Sequence, residues 1–134
     1  AMYYDVIGKA GSRLGTGTMI ILDDKTCPVG MVKNLVEFFA QESCGFCTPC
    51  RDGLPWTAQV LDDIDTGKGM KVDMATLKNQ VRFIGAIGNT HCALAPGAME
   101  PVSSAMKYFA DDFEEHIKGK ACPYCESNST AGGV

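Results

Sequence analysis

Between Val32 and Phe113, apolar side chains return at helical intervals in four separate stretches. Val32, Leu35, Val36 and Phe39 recur at i, i+3, i+4 and i+7, which predicts an amphipathic helix ending near Ser43. Leu54, Ala58, Leu61 and Ile64 mark a second helix, with Thr48-Pro49 as its opening and Thr66-Gly67 as its stop. Pro55 lies inside that stretch, so the helix either kinks there or begins there. Met74, Leu77, Val81 and Ile84 line a third helix, capped by Asp73 and ending near Gly88-Asn89. Val102, Met106, Phe109 and Phe113 line a fourth, from about Pro96-Gly97 to Lys118-Gly119. Upstream the period is different: KAGSRLGTG, the apolar run Thr18 to Leu22 and Asp23-Asp24 read as a turn, a strand and a turn. The expected fold is mainly α. An antiparallel four-helix bundle occupies 29–119, behind a glycine-rich β segment at 1–28 that closes a preceding domain. A loose polar tail with a CxxC motif occupies 120–134.

Composition narrows the function. A chain of 134 residues with 46% hydrophobic content has enough material for one compact core. A net charge of -4 and the lack of a basic stripe argue against nucleic acid as a partner. No apolar run approaches the ~20 residues of a membrane span, and no signal peptide opens the chain, so a soluble intracellular protein is expected. Gly8, Gly11, Gly15 and Gly17 do not form a GxGxxG loop and no Walker lysine follows them, so they read as turns rather than a phosphate cradle. The pairs Asp62-Asp63, Asp111-Asp112 and Glu114-Glu115 read as solvated helix faces.

The cysteines carry the chemistry. Seven is an odd count, and three of them, Cys44, Cys47 and Cys50, fall in the stretch ESCGFCTPCRDG. That is a poor disulfide framework and a good metal motif. An up-down-up-down bundle places the first and third interhelical loops at one end. Cys92, in GNTHCALAPG, therefore shares an end with the triple, while Cys27, Cys122 and Cys125 fall at the other. A tight triple completed by a remote cysteine suits the corners of a [4Fe–4S] cubane better than the paired knuckles of structural zinc. The ferredoxin run C-x2-C-x2-C-x3-C would need a cysteine where Leu54 stands, so the fourth ligand is distant. Arg51 and His91 adjoin the ligands. Arg51 is a candidate counter-charge, and His91 reads as an outer neighbour rather than a ligand.

ESCGFCTPCRDG, HCALAPGAMEP, SAMKYF, IGKAGSRLGTG and NLVEFFAQ together closely resemble the flavin-bearing subunit of respiratory complex I, NADH:quinone oxidoreductase. The resemblance runs from about Asp5 to Lys118. It implies a helical domain whose [4Fe–4S] cluster, on Cys44, Cys47, Cys50 and Cys92, takes single electrons from reduced FMN and sends them toward quinone. It also implies partners: the remainder of the flavin subunit, a small [2Fe–2S] subunit and a larger iron–sulfur subunit of the peripheral arm. The location implied is the cytoplasmic face of a bacterial inner membrane, or the mitochondrial matrix in a eukaryote. FMN and NADH are expected in the full-length subunit but not on this chain, which matches the C-terminal third and has no GRGGxGF-type loop. Similar subunits serve NAD-linked hydrogenases and formate dehydrogenases. Two other readings stay open: a zinc-bound helical interaction module, and a dithiol oxidoreductase using Cys122-Pro-Tyr-Cys125. The latter would need a βαβ context, for which the nine residues after Cys125 leave little room.

Overall fold

The computed structural model describes residues 3–125. Among them lie six α-helices, one π-helical turn and no strand. The helices are α1 (Tyr4–Lys9), α2 (Pro28–Glu42), α3 (Leu54–Asp65), α4 (Lys71–Ile84), α5 (Leu94–Tyr108) and α6 (Ala110–Gly119), with the π turn at Pro49–Gly53 leading directly into α3. The fold is mainly α, as the apolar periodicity requires. α2 packs along α3 and α5, α4 packs along α5 and α3, and α6 closes against α2, α3 and α5.

The core follows the predicted stripes. Val29, Val32 and Val36 of α2 meet Leu54, Leu61 and Ile64 of α3, Leu77 and Ile84 of α4, and Ala98, Met99 and Val102 of α5. Each helix turns one face inward and leaves the other to solvent. Pro28 stands in the first turn of α2, where a missing N–H costs nothing, and the Cys27 sulfur caps that turn by accepting from the Gly30 N–H at 3.2 Å. α4 begins two residues before the expected cap. Asp73 sits in its first turn, where the carboxylate accepts the Met70 N–H at 2.7 Å.

Two expectations fail. The β segment at 1–28 is not formed: α1 stands near its start, and Thr18–Leu22 has no regular structure. A strand needs a neighbouring backbone to receive its hydrogen bonds, and the described residues offer none here. Ile21 is 90% exposed, with Met19 and Ile20 exposed beside it. Arg13 instead ties this segment to Glu100 of α5 through an ion pair. The second failure is the fourth helix, which is two. It breaks at Phe109, whose backbone leaves the helical region (φ -123°, ψ 32°), and restarts as α6. The break lets Phe113, His116 and Ile117 turn into the core while Phe109 stays 43% exposed. The part of the expected tail at 126–134 lies outside the described residues.

Candidate metal centre

The triple-cysteine stretch leaves α2 at Ser43, whose backbone is already extended (φ -65°, ψ 133°). Gly45 follows with φ +71°, a left-handed conformation that glycine adopts without the Cβ penalty, and its N–H donates to the Ser43 hydroxyl at 3.1 Å. The loop then winds into the π turn. The N–H groups of Cys50 and Arg51 both donate to the Cys47 carbonyl, at 3.1 and 2.9 Å. These two hydrogen bonds to one carbonyl hold Cys47 and Cys50 on a single short coil. Gly53 closes it against α4: a Cβ there would lie 2.6 Å from the Ile84 Cδ1.

The loop between α4 and α5 arrives at the same end. The His91 and Phe46 rings meet in a T-shaped pair with centroids 5.1 Å apart and planes at 70°, which joins the Cys92 loop to the Cys44–Cys47 loop. The Thr90 hydroxyl donates to the Cys92 carbonyl at 2.7 Å, and Asn89 donates to the Phe83 carbonyl at 2.7 Å, fixing the turn. α5 opens two residues after Cys92 with no acidic residue in its first turn, so its positive end is left for another anion.

The thiols grade from wet to dry. Cys44 and Cys92 are exposed, Cys47 is half-buried and Cys50 is buried. Burial pushes the Cys50 thiol above its ordinary range. The nearby Ser43 hydroxyl opposes this, while the neighbouring Cys47 and Cys92 raise it further. Thiols this close together form a donor set that could hold a cationic metal. Arg51 lies over the loop, donating to the Gly45 carbonyl at 3.4 Å and pairing with Asp52 at 3.3 Å. It is tied down locally and 54% exposed.

A model of the NADH-ubiquinone oxidoreductase-F iron-sulfur binding region matches residues 30–116. The chain belongs to that family. Among its relatives, the F subunit of the Escherichia coli NADH-quinone oxidoreductase is 53% identical over 117 residues, which is 87% of this chain and 26% of that protein. The corresponding protein of Streptomyces coelicolor is 45% identical over 128 residues, 96% of this chain and 28% of that protein. That of Mycobacterium bovis is 40% identical over 133 residues, 98% of this chain and 29% of that protein. The chain thus spans little more than a quarter of the length of these family members. The iron–sulfur region named by the match contains all of Cys44, Cys47, Cys50 and Cys92.

The opposite end also holds a cysteine cluster, with more members than the cysteine spacing indicates. Cys27 and Cys122 meet as the loop sorting predicts, but Asp65 and His116 join them, and neither residue stood out in the sequence. The spacing His-x5-Cys-x2-Cys from His116 to Cys125 was the available signal.

Proposed function

We propose that this chain is the iron–sulfur electron-transfer portion of an NADH:quinone oxidoreductase flavoprotein subunit, with Cys44, Cys47, Cys50 and Cys92 holding a [4Fe–4S] cluster. The observation that carries it is the convergence of two cysteine-bearing loops at one end of the helices, inside the region matched by the family. When bound, such a cluster supplies one-electron transfer, which divides the electron pair of a reduced flavin into single steps. The chain's residues do the rest. Three thiolates come from one coil, and the fourth comes from the loop that His91 packs against Phe46. Cys50 and Leu54 seal the inner side from water, both being buried.

The rest of the reading rests on the resemblance to longer family members. FMN and NADH belong to the part of the subunit that lies outside this chain's match. The partners are that remainder, a small [2Fe–2S] subunit and a larger iron–sulfur subunit, at the cytoplasmic face of the membrane. No helix among the described residues is long and apolar enough to cross a membrane, which agrees with a peripheral position. Met19, Ile20 and Ile21 are exposed in an unpaired stretch and suit pairing with a sheet of the remaining subunit. We read α2, α3 and α4, with α5 and α6 together as a fourth member, as the bundle that carries the cluster.

The test is electron paramagnetic resonance of the dithionite-reduced chain beside iron analysis. A [4Fe–4S]⁺ signal with stoichiometric iron is expected, together with its loss in Cys92→Ser. A colourless chain that takes up zinc in place of iron at these four cysteines would overturn the reading.

A further inference from the structure

At the end of the molecule away from the triple cysteine, four chain segments bring soft and borderline ligands to one point. Cys27 stands before α2, Asp65 ends α3, His116 lies on α6 and Cys122 follows it. The ligand atoms of these four lie within 4.8 Å of one another, and His116 is fully buried and Cys122 nearly so. The Cys27 sulfur is 3.3 Å from the His116 Nε2, and the Asp65 Oδ1 is 4.0 Å from each. Cys125 shares a turn with Cys122, and its N–H donates to the Cys122 carbonyl at 3.2 Å.

The tautomer of His116 is decided by its neighbour. Nδ1 lies 2.7 Å from the Asp112 carbonyl, which can only accept, so Nδ1 carries the proton. In a neutral ring Nε2 then presents its lone pair to the sulfurs. A backbone carbonyl behind the far nitrogen is the usual support of a metal-bound histidine. Tyr124 stacks over the same ring and bonds to the Asp112 carboxylate, which steadies the arrangement. Cys27 already receives the Gly30 N–H at 3.2 Å, the kind of donor that stabilises a metal thiolate. Asp65 is engaged on its other oxygen by Lys33 at 2.7 Å, so the site also has a cation ready to balance excess negative charge.

We propose that Cys27, His116, Cys122 and Cys125 bind a structural Zn²⁺ ion, with Asp65 as an outer partner linking the site to Lys33. Three thiolates and an imidazole form a closed tetrahedral set of the kind zinc prefers in structural sites, and the C-x2-C pair is a common half of one. Cys125 takes the fourth place because it shares a tight turn with Cys122 and supplies a third thiolate, while Asp65, with its second oxygen on Lys33, stays as the outer partner. The ion ties the start of α2 to α6 and to the segment after it. It is separate from the iron–sulfur centre, and it serves assembly rather than electron transfer.

Because cysteines emptied of iron also take zinc, the measurement uses the chain with its iron fully loaded. Metal analysis should find about one zinc per chain in addition to the iron. Zinc K-edge X-ray absorption should return three sulfurs at about 2.3 Å and one nitrogen at about 2.0 Å. Cys27→Ser and Cys122→Ser should lose the zinc and keep the iron, and Asp65→Asn should keep both. Cys125 is exposed, so Cys125→Ser tests the site without disturbing the core. That variant should release zinc to a chromogenic chelator at least about tenfold more readily. No zinc in the iron-loaded chain grown with zinc present, or zinc retained in both Cys27→Ser and Cys122→Ser, overturns the site. So does thiol titration revealing a Cys122–Cys125 disulfide in the chain as isolated. Two sulfurs only, with zinc lost in Asp65→Asn, removes Cys125 from the ligand set.

Discussion

Single residues at the two cysteine-bearing ends have unequal tolerance, and two glycines illustrate why. A Cβ on Gly67 would sit 2.0 Å from the Lys120 carbonyl oxygen, and its φ of +79° already disfavours any side chain. The obstacle is backbone, which cannot swing away, so Gly67→Ala should cost about 2–4 kcal/mol in urea unfolding. At Gly53 the Cβ would meet the Ile84 Cδ1 at 2.6 Å, and that atom is the end of a flexible side chain. Gly53→Ala should cost about 1 kcal/mol or less, since Ile84 can move aside. The cysteines divide in the same way by location. Iron should disappear in Cys92→Ser and persist in Cys27→Ser, as read by iron content and absorbance. Full iron in the former with loss in the latter would invert the assignment of the two ends.

For the helices, the break at Phe109 separates what periodicity had joined. A continuous fourth helix would bury Phe109 with Val102 and Phe113 on one face. In the structure Phe113 is fully buried and Phe109 is not. Phe113→Ala should therefore destabilise by about 3–5 kcal/mol, and Phe109→Ala by far less, about 1 kcal/mol. Equal losses in thermal unfolding would favour the unbroken helix. At the start of α4, the Asp73 carboxylate satisfies the Met70 N–H, and Asp73→Ala should cost about 1 kcal/mol and speed amide exchange in that first turn.

On the scale of the whole molecule, the described residues gather cysteines at two ends, and no strand–turn–helix unit with a glycine loop stands among them. The glycines at 8, 11, 15 and 17 lie in α1 and in the irregular stretch after it, not at the mouth of a strand–helix unit. Hydride transfer from NADH needs a flavin held against the nicotinamide, and that chemistry belongs to the cofactor and the domain that binds it. The isolated 134-residue chain should carry no FMN and should not reduce ferricyanide with NADH. Adding the rest of the flavin subunit and a small [2Fe–2S] partner should restore the activity. NADH-dependent turnover by the chain alone, with stoichiometric FMN, would mean that a complete enzyme had been taken for part of one.

Helix content, the apolar stripes and the arrival of the Cys92 loop beside the triple cysteine were all legible in the residues. Each depends on a local period or on loop order, and both survive in one dimension. Val32, Leu61, Leu77 and Val102 are buried because their spacing gathers them on the one apolar face of each helix. The strand expected at Thr18–Leu22 fails for the opposite reason. β propensity is local, but a strand exists only when another backbone pairs with it, and the described residues provide none. The split between α5 and α6 is likewise a decision of packing, taken where turning Phe113 and His116 inward outweighs one more helical turn. The same split completes the second cluster. His116 lies eighty-nine residues from Cys27 in sequence and 3.3 Å away in space, and only a helix broken at Phe109 turns it to face that sulfur.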